Sequence, residues 1–276
     1  MYFKKESKIK FILIILFSSL LVFSIGVIGL RIPEYASERE SVERAMEVAR
    51  GEEGREVVKE DAKEIPPDTN PLPANKDFEL LTSMDIKNLQ SENPDVIGWI
   101  LIPGTEVSYP LLQAKDNEYY LKHTWDNQKN SCGSIFYDYR SSPNDWNSVI
   151  YGHNMRNGSM FAQLHQYKDS DFSINNSHLL ILCNGEVKEY MFVAAFEAKL
   201  DGAPYIFGDV SKAEKNEFVK TLSEKSGKNV SANSSFVTLS TCTGLGHKTR
   251  WVVIFSADNQ QPLANTVYLS EKDVTT

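Results

Sequence analysis

The chain has 276 residues, enough for one large domain or two small ones, and its 41% hydrophobic and 24% charged residues are ordinary for a folded protein. A formal charge of -8 argues against a general nucleic-acid binder, which carries a basic face. Three Cys exclude a disulfide-stapled scaffold.

Charge is distributed unevenly. Residues 11–30 (Phe11 to Leu30) hold no charged side chain. At about 1.5 Å per helical residue this run spans a bilayer core of about 30 Å. Lys4, Lys5, Lys8 and Lys10 precede it against Glu6 alone, so the positive-inside rule places residues 1–10 in the cytoplasm and the remainder outside. The run is longer than the apolar core of a signal peptide and is followed by Arg31-Ile32-Pro33-Glu34, which favours an uncleaved single-pass anchor. Residues 1–30 then carry +3, and the rest, with 25 Lys+Arg against 36 Asp+Glu, carries -11.

Residues 31–75 read as a charged stalk and linker. Glu34 to Glu64 is dense in Glu, Arg and Lys, and Val42, Met46, Val57 and Val58 are too sparse for a core stripe, so a solvated helix interrupted at Gly51 and Gly54 is expected. Ile65 to Pro73 is too Pro-rich for a helix and reads as a stiff linker. The folded domain is expected over residues 76–260, with a polar tail at 261–276.

Phe78, Leu81, Ile86 and Leu89 predict a helix packed on that domain. Short strands rich in Ile, Val, Tyr and Trp and bounded by Gly, Pro, Asn or Asp follow at 96–102, 106–112, 134–137 and 148–151. Helical turns are predicted at 117–121 and 160–167. Asn184-Gly185 between the apolar runs 178–183 and 187–199 is a strong hairpin signal. Phe218, Val219 and Leu222 mark a helix at 211–225, and 236–241 and 250–257 are two more strands. About eight strands with few long helices predict a mainly β, α+β domain: a closed barrel or sandwich with peripheral helices.

Among the cysteines, Cys132 lies in a turn-like stretch, and Cys183 ends an apolar run where a small buried hydrophobe suffices. Cys242 ends a strand and opens into Thr243-Gly244-Leu245-Gly246, a place where a side chain is firmly held yet accessible. No Cys spacing suits zinc and no Gly-rich loop opens a helix after a strand, so neither metal nor nucleotide cofactor is expected. His165 and His178 read as solvated or satisfied, His123 has no evident role, and His247 is a candidate base five residues beyond Cys242. His153 stands at a strand end, as Cys242 does. A thiol needs a base to form its thiolate, and a leaving amine needs an acid, so a His beside Cys242 could serve both needs. Acyl transfer also needs an oxyanion stabiliser. Arg250 begins the strand after the Cys242 loop and lies beside Cys242 if the two strands pair antiparallel.

These residues carry a family resemblance. Thr238-Leu239-Ser240-Thr241-Cys242, followed by Arg250, resembles the active-site signature of sortases. Tyr151-Gly152-His153-Asn154-Met155-Arg156-Asn157-Gly158-Ser159-Met160-Phe161 resembles the histidine segment of class B in particular, as do Gly133-Ser134-Ile135-Phe136-Tyr137-Asp138-Tyr139-Arg140 and Val96-Ile97-Gly98-Trp99-Ile100. The resemblance implies an eight-stranded β-barrel with N-terminal helices, and a cysteine transpeptidase of Gram-positive bacteria. Cys242 would be the nucleophile, His153 the general acid/base and Arg250 the oxyanion ligand. Tyr151, Ser240, Asn117 and Leu121 would line the substrate groove. The implied partners are the C-terminal sorting signal of a secreted protein, cleaved at Thr, and an amine of a peptidoglycan precursor, met at the cell membrane. Two features of the pilin-polymerising class are missing from the sequence: an Asp-Pro-aromatic lid motif and a second hydrophobic segment. The loop from Cys242 to Arg250 looks short for class B. A pilin-linking sortase, a cysteine peptidase using water as acceptor and a non-catalytic surface binding module are the alternatives.

Overall fold

A computed structural model describes residues 2–51, 73–244 and 248–257. The linker 65–72, His247 and the tail 261–276 lie outside the described residues. Eight strands close into a barrel: β1 (Val96–Leu101), β2 (Ser108–Leu112), β3 (Ile135–Tyr137), β4 (Asn147–Tyr151), β5 (His178–Cys183), β6 (Glu186–Lys199), β7 (Ser235–Cys242) and β8 (Thr249–Ala257). Around the barrel the order is β1-β2-β3-β4-β7-β8-β6-β5. Only β2–β3 and β4–β7 pair in parallel; the other pairs are antiparallel.

Local chemistry accounts for the connections. Asn184 and Gly185 both take positive φ, 55° and 77°, as the tight β5–β6 hairpin requires. Gly98 lets β1 lie close to β5, since a Cβ there would stand 2.0 Å from the Leu182 carbonyl oxygen. Inward-facing Ile100, Leu111, Ile135, Ile150, Ile181, Leu239 and Val253 fill the barrel.

The helices are α1 (Tyr2–Arg50), α2 (Pro73–Thr82), α3 (Ile86–Glu92), α4 (Ser170–Asn175) and α5 (Lys212–Ser226), with 3-10 turns at Tyr119–Leu121 and Ala162–Lys168. α5 starts at a capping box of Ser211 and Glu214 and ends at Gly227, φ 68°. It buries Phe218 and Leu222 against Phe196, Phe236 and Ile254. The single helix expected around 78–89 is two. Asp85, whose side chain accepts from the Lys87 N–H, caps a second start. Helix also begins at Pro73, inside the stretch expected to be linker, with Pro at the first helical position where its missing N–H costs nothing.

The stalk is corrected by its packing. The C-terminal half of α1 is not a solvated helix. Ala45 and Ala49 are fully buried in one cluster with Leu81, Leu89, Trp99, Leu112 and Trp125. The Trp125 indole donates to the Ser41 carbonyl at 2.7 Å, Arg44 bonds Asp126 at 2.7 Å and also Glu92, and Glu34 accepts from the Ser131 hydroxyl at 2.6 Å. Small residues at i and i+4 let the helix axis approach the barrel, so the contact face needs few large apolar side chains. The uncharged run 11–30 continues the same helix. Among the described residues no helix is long and apolar enough to cross a membrane.

Candidate active site

Strand register gathers the three candidate catalytic residues at one end of the barrel. β4 and β7 run in parallel with Tyr151 beside Ser240, and the Gly152 N–H donates to the Ser240 carbonyl at 3.2 Å. Two residues further along each chain stand His153 and Cys242. On the other side of β7, Cys242 pairs directly with Arg250 of β8, as the antiparallel pairing required. Cys242 therefore lies between the segment carrying His153, two residues past the last paired position of β4, and the strand carrying Arg250. All three are partly buried. Cys242 is a free thiol, and the Arg250 guanidinium donates to the Thr249 carbonyl at 3.0 Å.

His153 is oriented by two bonds. Its carbonyl accepts from the Phe161 N–H at 2.9 Å, and Nε2 lies 2.9 Å from the Leu121 carbonyl. A carbonyl only accepts, so Nε2 is assigned the hydrogen, and Nδ1 of the neutral ring keeps its lone pair for proton transfer. Leu121 thus contributes its backbone. Gly152 packs so tightly beneath this segment that a Cβ would stand 2.4 Å from Ile135 Cδ1 and 2.7 Å from the Phe161 ring.

Two of the other groove candidates, Asn117 and Tyr151, meet at one carboxylate that sequence reasoning did not single out. Asp138 is fully buried. Its Oδ2 accepts from the Tyr151 hydroxyl, the Asn117 amide and Arg140 Nη2, at 2.9, 2.9 and 2.8 Å. Its Oδ1 accepts from Arg140 Nε and the Arg140 backbone N–H, both at 2.9 Å. Burial alone would raise this carboxyl, but the Arg140, Asn117 and Tyr151 bonds outweigh it and hold it below the ordinary Asp range. Burial first, and Asp138 second, pushes the Tyr151 hydroxyl far above its usual value. The Arg140 guanidinium also stacks 3.7 Å from the centre of the Phe207 ring, tying this wall to the segment between β6 and α5.

That segment supplies Tyr205, also not anticipated. Its hydroxyl lies 2.8 Å from Ser240 Oγ, so Ser240 is covered by Tyr205 rather than open to solvent. Burial pushes Tyr205 up to about 12, opposed by the Ser240 bond and the Arg250 charge and reinforced by Cys242. Tyr205 is therefore within electrostatic reach of both. A lone aromatic in an irregular stretch gives no periodic signal.

Cys132 and Cys183 are both buried, as expected for Cys183, neither forms a disulfide, and burial pushes the Cys183 thiol up. His178 is satisfied by Glu189 at 2.6 Å, and His123 stacks on Tyr119. His165 is the satisfied rather than the solvated case: it is half-buried, stacks on Trp251 and lies 2.9 Å from the Cys242 carbonyl. Among the described residues no group of three or more His, Cys, Asp or Glu could hold a metal.

Comparison with known proteins gives a consistent answer. A family model described as "Sortase domain" matches residues 100–258. Sortase B of Listeria monocytogenes is 41% identical over 172 residues, covering 57% of this chain and 67% of that protein. The Clostridium perfringens sortase B structure superposes with a TM-score of 0.58 at 31% identity, covering 62% of this chain and 98% of that one. A Bacillus anthracis sortase B complex superposes with a TM-score of 0.61 at 26% identity, covering 82% and 98%.

Proposed function

The chain belongs to the sortase family, class B, and from that premise we propose that Cys242, His153 and Arg250 are the catalytic residues of a membrane-anchored transpeptidase acting on a C-terminal sorting signal. Membership makes the protein a sortase-type cysteine transpeptidase for anchoring surface proteins. The observation that carries the residue assignment is the register at the barrel end: Cys242 opposite Arg250, and His153 two residues beyond Tyr151, which pairs with Ser240 on the parallel neighbour.

The steps follow from these positions. Cys242 Sγ gives its proton to His153 Nδ1 and attacks the Thr carbonyl carbon of the sorting signal. The developing oxyanion is stabilised by Arg250. Collapse breaks the C–N bond, and Nδ1–H protonates the leaving amine. The thioester is then attacked by an acceptor amine, which passes a proton to the neutral His153, and collapse returns the Cys242 thiolate. A peptidoglycan-precursor amine is the proposed acceptor. A related sortase B is known in complex with triglycine, which supports an amine of that type. Asn117, Leu121, Tyr151 and Tyr205 form the walls of the signal's groove, with Asn117 and Tyr151 held by Asp138 and Tyr205 backed by the buried Ser240.

Anchoring is supported by the exposure of Ile14, Leu16, Phe17 and Leu20, each more than half exposed on α1. A helix that presents such side chains to its surroundings is stable in a lipid phase. With the barrel docked on α1 from Glu34 onward, the active site would be held close to the membrane, where secreted substrate and lipid-linked acceptor coincide.

The test uses the full chain in detergent with an Asn-Pro-x-Thr-type peptide and triglycine. The expected product is the Thr–triglycine amide, with a trapped thioester visible by mass spectrometry. Cys242→Ala should abolish both, and Arg250→Ala should lower kcat/KM by about 10²- to 10³-fold with folding retained. Free acid as sole product would make the protein a peptidase, and full activity in either variant would refute the assignment.

A further inference from the structure

We propose that His165 is a positioning residue that locks the three catalytic segments together through the Cys242 carbonyl. The proposal rests on the catalytic roles of Cys242, His153 and Arg250 proposed above and goes beyond them. His165 belongs to the 3-10 turn Ala162–Lys168, in the segment that follows His153 and distant in sequence from Cys242 and Arg250.

Two donors converge on the Cys242 carbonyl oxygen. Asn154 Nδ2 lies 3.0 Å from it and His165 Nε2 lies 2.9 Å from it. The two nitrogens are themselves 3.1 Å apart. The oxygen is an acceptor only and has two lone pairs. If Nε2 lacked a hydrogen, its lone pair would face that of the oxygen at contact distance. With the hydrogen on Nε2, His165 and Asn154 each fill one lone pair of the same oxygen, and the contact between the two nitrogens carries no bond of its own.

The partners of His165 explain its reach. Asn154 immediately follows His153. The Cys242 carbonyl belongs to the nucleophile itself. Trp251, on which the His165 ring stacks at 5.7 Å between centroids and 21° between planes, immediately follows Arg250. Trp251 is in turn fixed to the same turn by its indole N–H, which donates to the Leu164 carbonyl at 2.8 Å. One imidazole therefore touches the chain next to each catalytic residue. Holding the Cys242 carbonyl also fixes the peptide plane through which β7 leaves for the β8 loop, so the direction of Sγ relative to His153 and Arg250 does not drift between turnovers. Acylation needs all three groups aligned, and small misplacements of reacting groups are costly in rate. Simple alkylation of the thiol needs no such alignment.

The test compares His165→Phe, which keeps a stacking ring and loses the donor, with His165→Gln, whose amide nitrogen can take the place of Nε2. Thioester formation with an Asn-Pro-x-Thr-type peptide, alkylation of Cys242 by iodoacetamide and Tm are read on each full-length variant. Loss of one positioning hydrogen bond predicts a kcat lower by about tenfold in His165→Phe with KM unchanged. Iodoacetamide reactivity should stay within about twofold, and His165→Gln should recover most of the rate. Three results would overturn the proposal: wild-type acylation in His165→Phe, failure of His165→Gln to recover any rate, or loss of alkylation and acylation in parallel. If His165→Phe does not fold, a His165→Gln variant slower than wild type by tenfold or more is likewise against it. A wild type that forms no thioester would instead overturn the catalytic assignment on which it rests.

Discussion

Asp138→Asn is the substitution that most directly tests how the groove is built. The side chain is fully buried and accepts five hydrogen bonds, from Tyr151, Asn117 and, three times, Arg140. Asn preserves shape, and its one oxygen can keep the two bonds at Oδ1. Its amide nitrogen then replaces Oδ2 and faces three donors. The Tyr151 hydroxyl can rotate and accept instead, but the Asn117 amide cannot turn over without giving up the Tyr139 N–H, which its Oδ1 accepts at 3.0 Å. Two donors are left facing a donor, and Arg140 loses its counter-charge. Hydrogen bonds to a charged group are worth about 1.5–3 kcal/mol each. Arg140 is 46% exposed and regains water, so its share is discounted. A net loss of about 3 kcal/mol follows, or roughly 6–12 °C in Tm for a domain of this size. The pH dependence has a definite sign. The folded carboxyl is held below its unfolded value, so its contribution is fully present above the ordinary Asp pKa of about 4 and is lost as pH falls through the lower folded value. Thermal melts of wild type and Asp138→Asn should differ most at neutral pH and converge on acidification. A variant melting within about 2 °C of wild type at pH 7, or a gap that does not narrow in acid, would refute the role of Asp138 as an ionised hub.

Two further expectations concern packing. Glu38 of α1 is buried against the barrel, and burial raises its carboxyl above the ordinary range, although a Ser159 hydrogen bond pulls the other way. The folded state then holds a proton that the unfolded state has lost, so this contact weakens as pH rises above the ordinary Glu value. Glu38→Gln should raise Tm more at pH 8 than at pH 5; an equal effect at both would show that the carboxyl titrates normally. Gly152→Ala would force a methyl to 2.7 Å from the Phe161 ring, whose backbone N–H holds His153. Overpacking of this kind costs about 1–3 kcal/mol. Tm should fall by several degrees and thioester formation should fall more than tenfold, whereas wild-type values in both measurements would mean the contact yields easily.

The strands were legible because each is a short β-branched or aromatic run closed by a turn residue. Observed ends lie within two residues of those expected, and the Asn184-Gly185 hairpin stands where its positive φ angles demand. What stayed hidden was packing that relies on small residues and sparse, partly buried apolar ones. Ala45 and Ala49 are the fully buried part of the α1 contact, with Tyr35, Val42, Met46 and Val48 partly buried around them, and a search for Leu, Ile or Phe at helical spacing passes over this face. The break between α2 and α3 was equally quiet, since Asp85 caps a helix whose apolar positions continue the period of the one before.

The site divides along the same line. Cys242 and Arg250 flank one loop, and an antiparallel pairing of its two strands was enough to put them side by side. His153 needed a parallel pairing between strands some ninety residues apart, and no local pattern predicts which distant strand becomes a neighbour; the motif resemblance supplied that link. Asp138 lay inside a quoted motif, but its importance comes from where Asn117, Arg140 and Tyr151 end up after folding. His165 is the extreme case. Its partners Asn154, Cys242 and Trp251 come from three separate elements, and a polar residue in a short amphipathic turn is by default a surface residue. Positioning groups of this kind are specified by the closure of the barrel rather than by any segment of it. A sequence therefore announces the atoms that react sooner than the atoms that hold them in place.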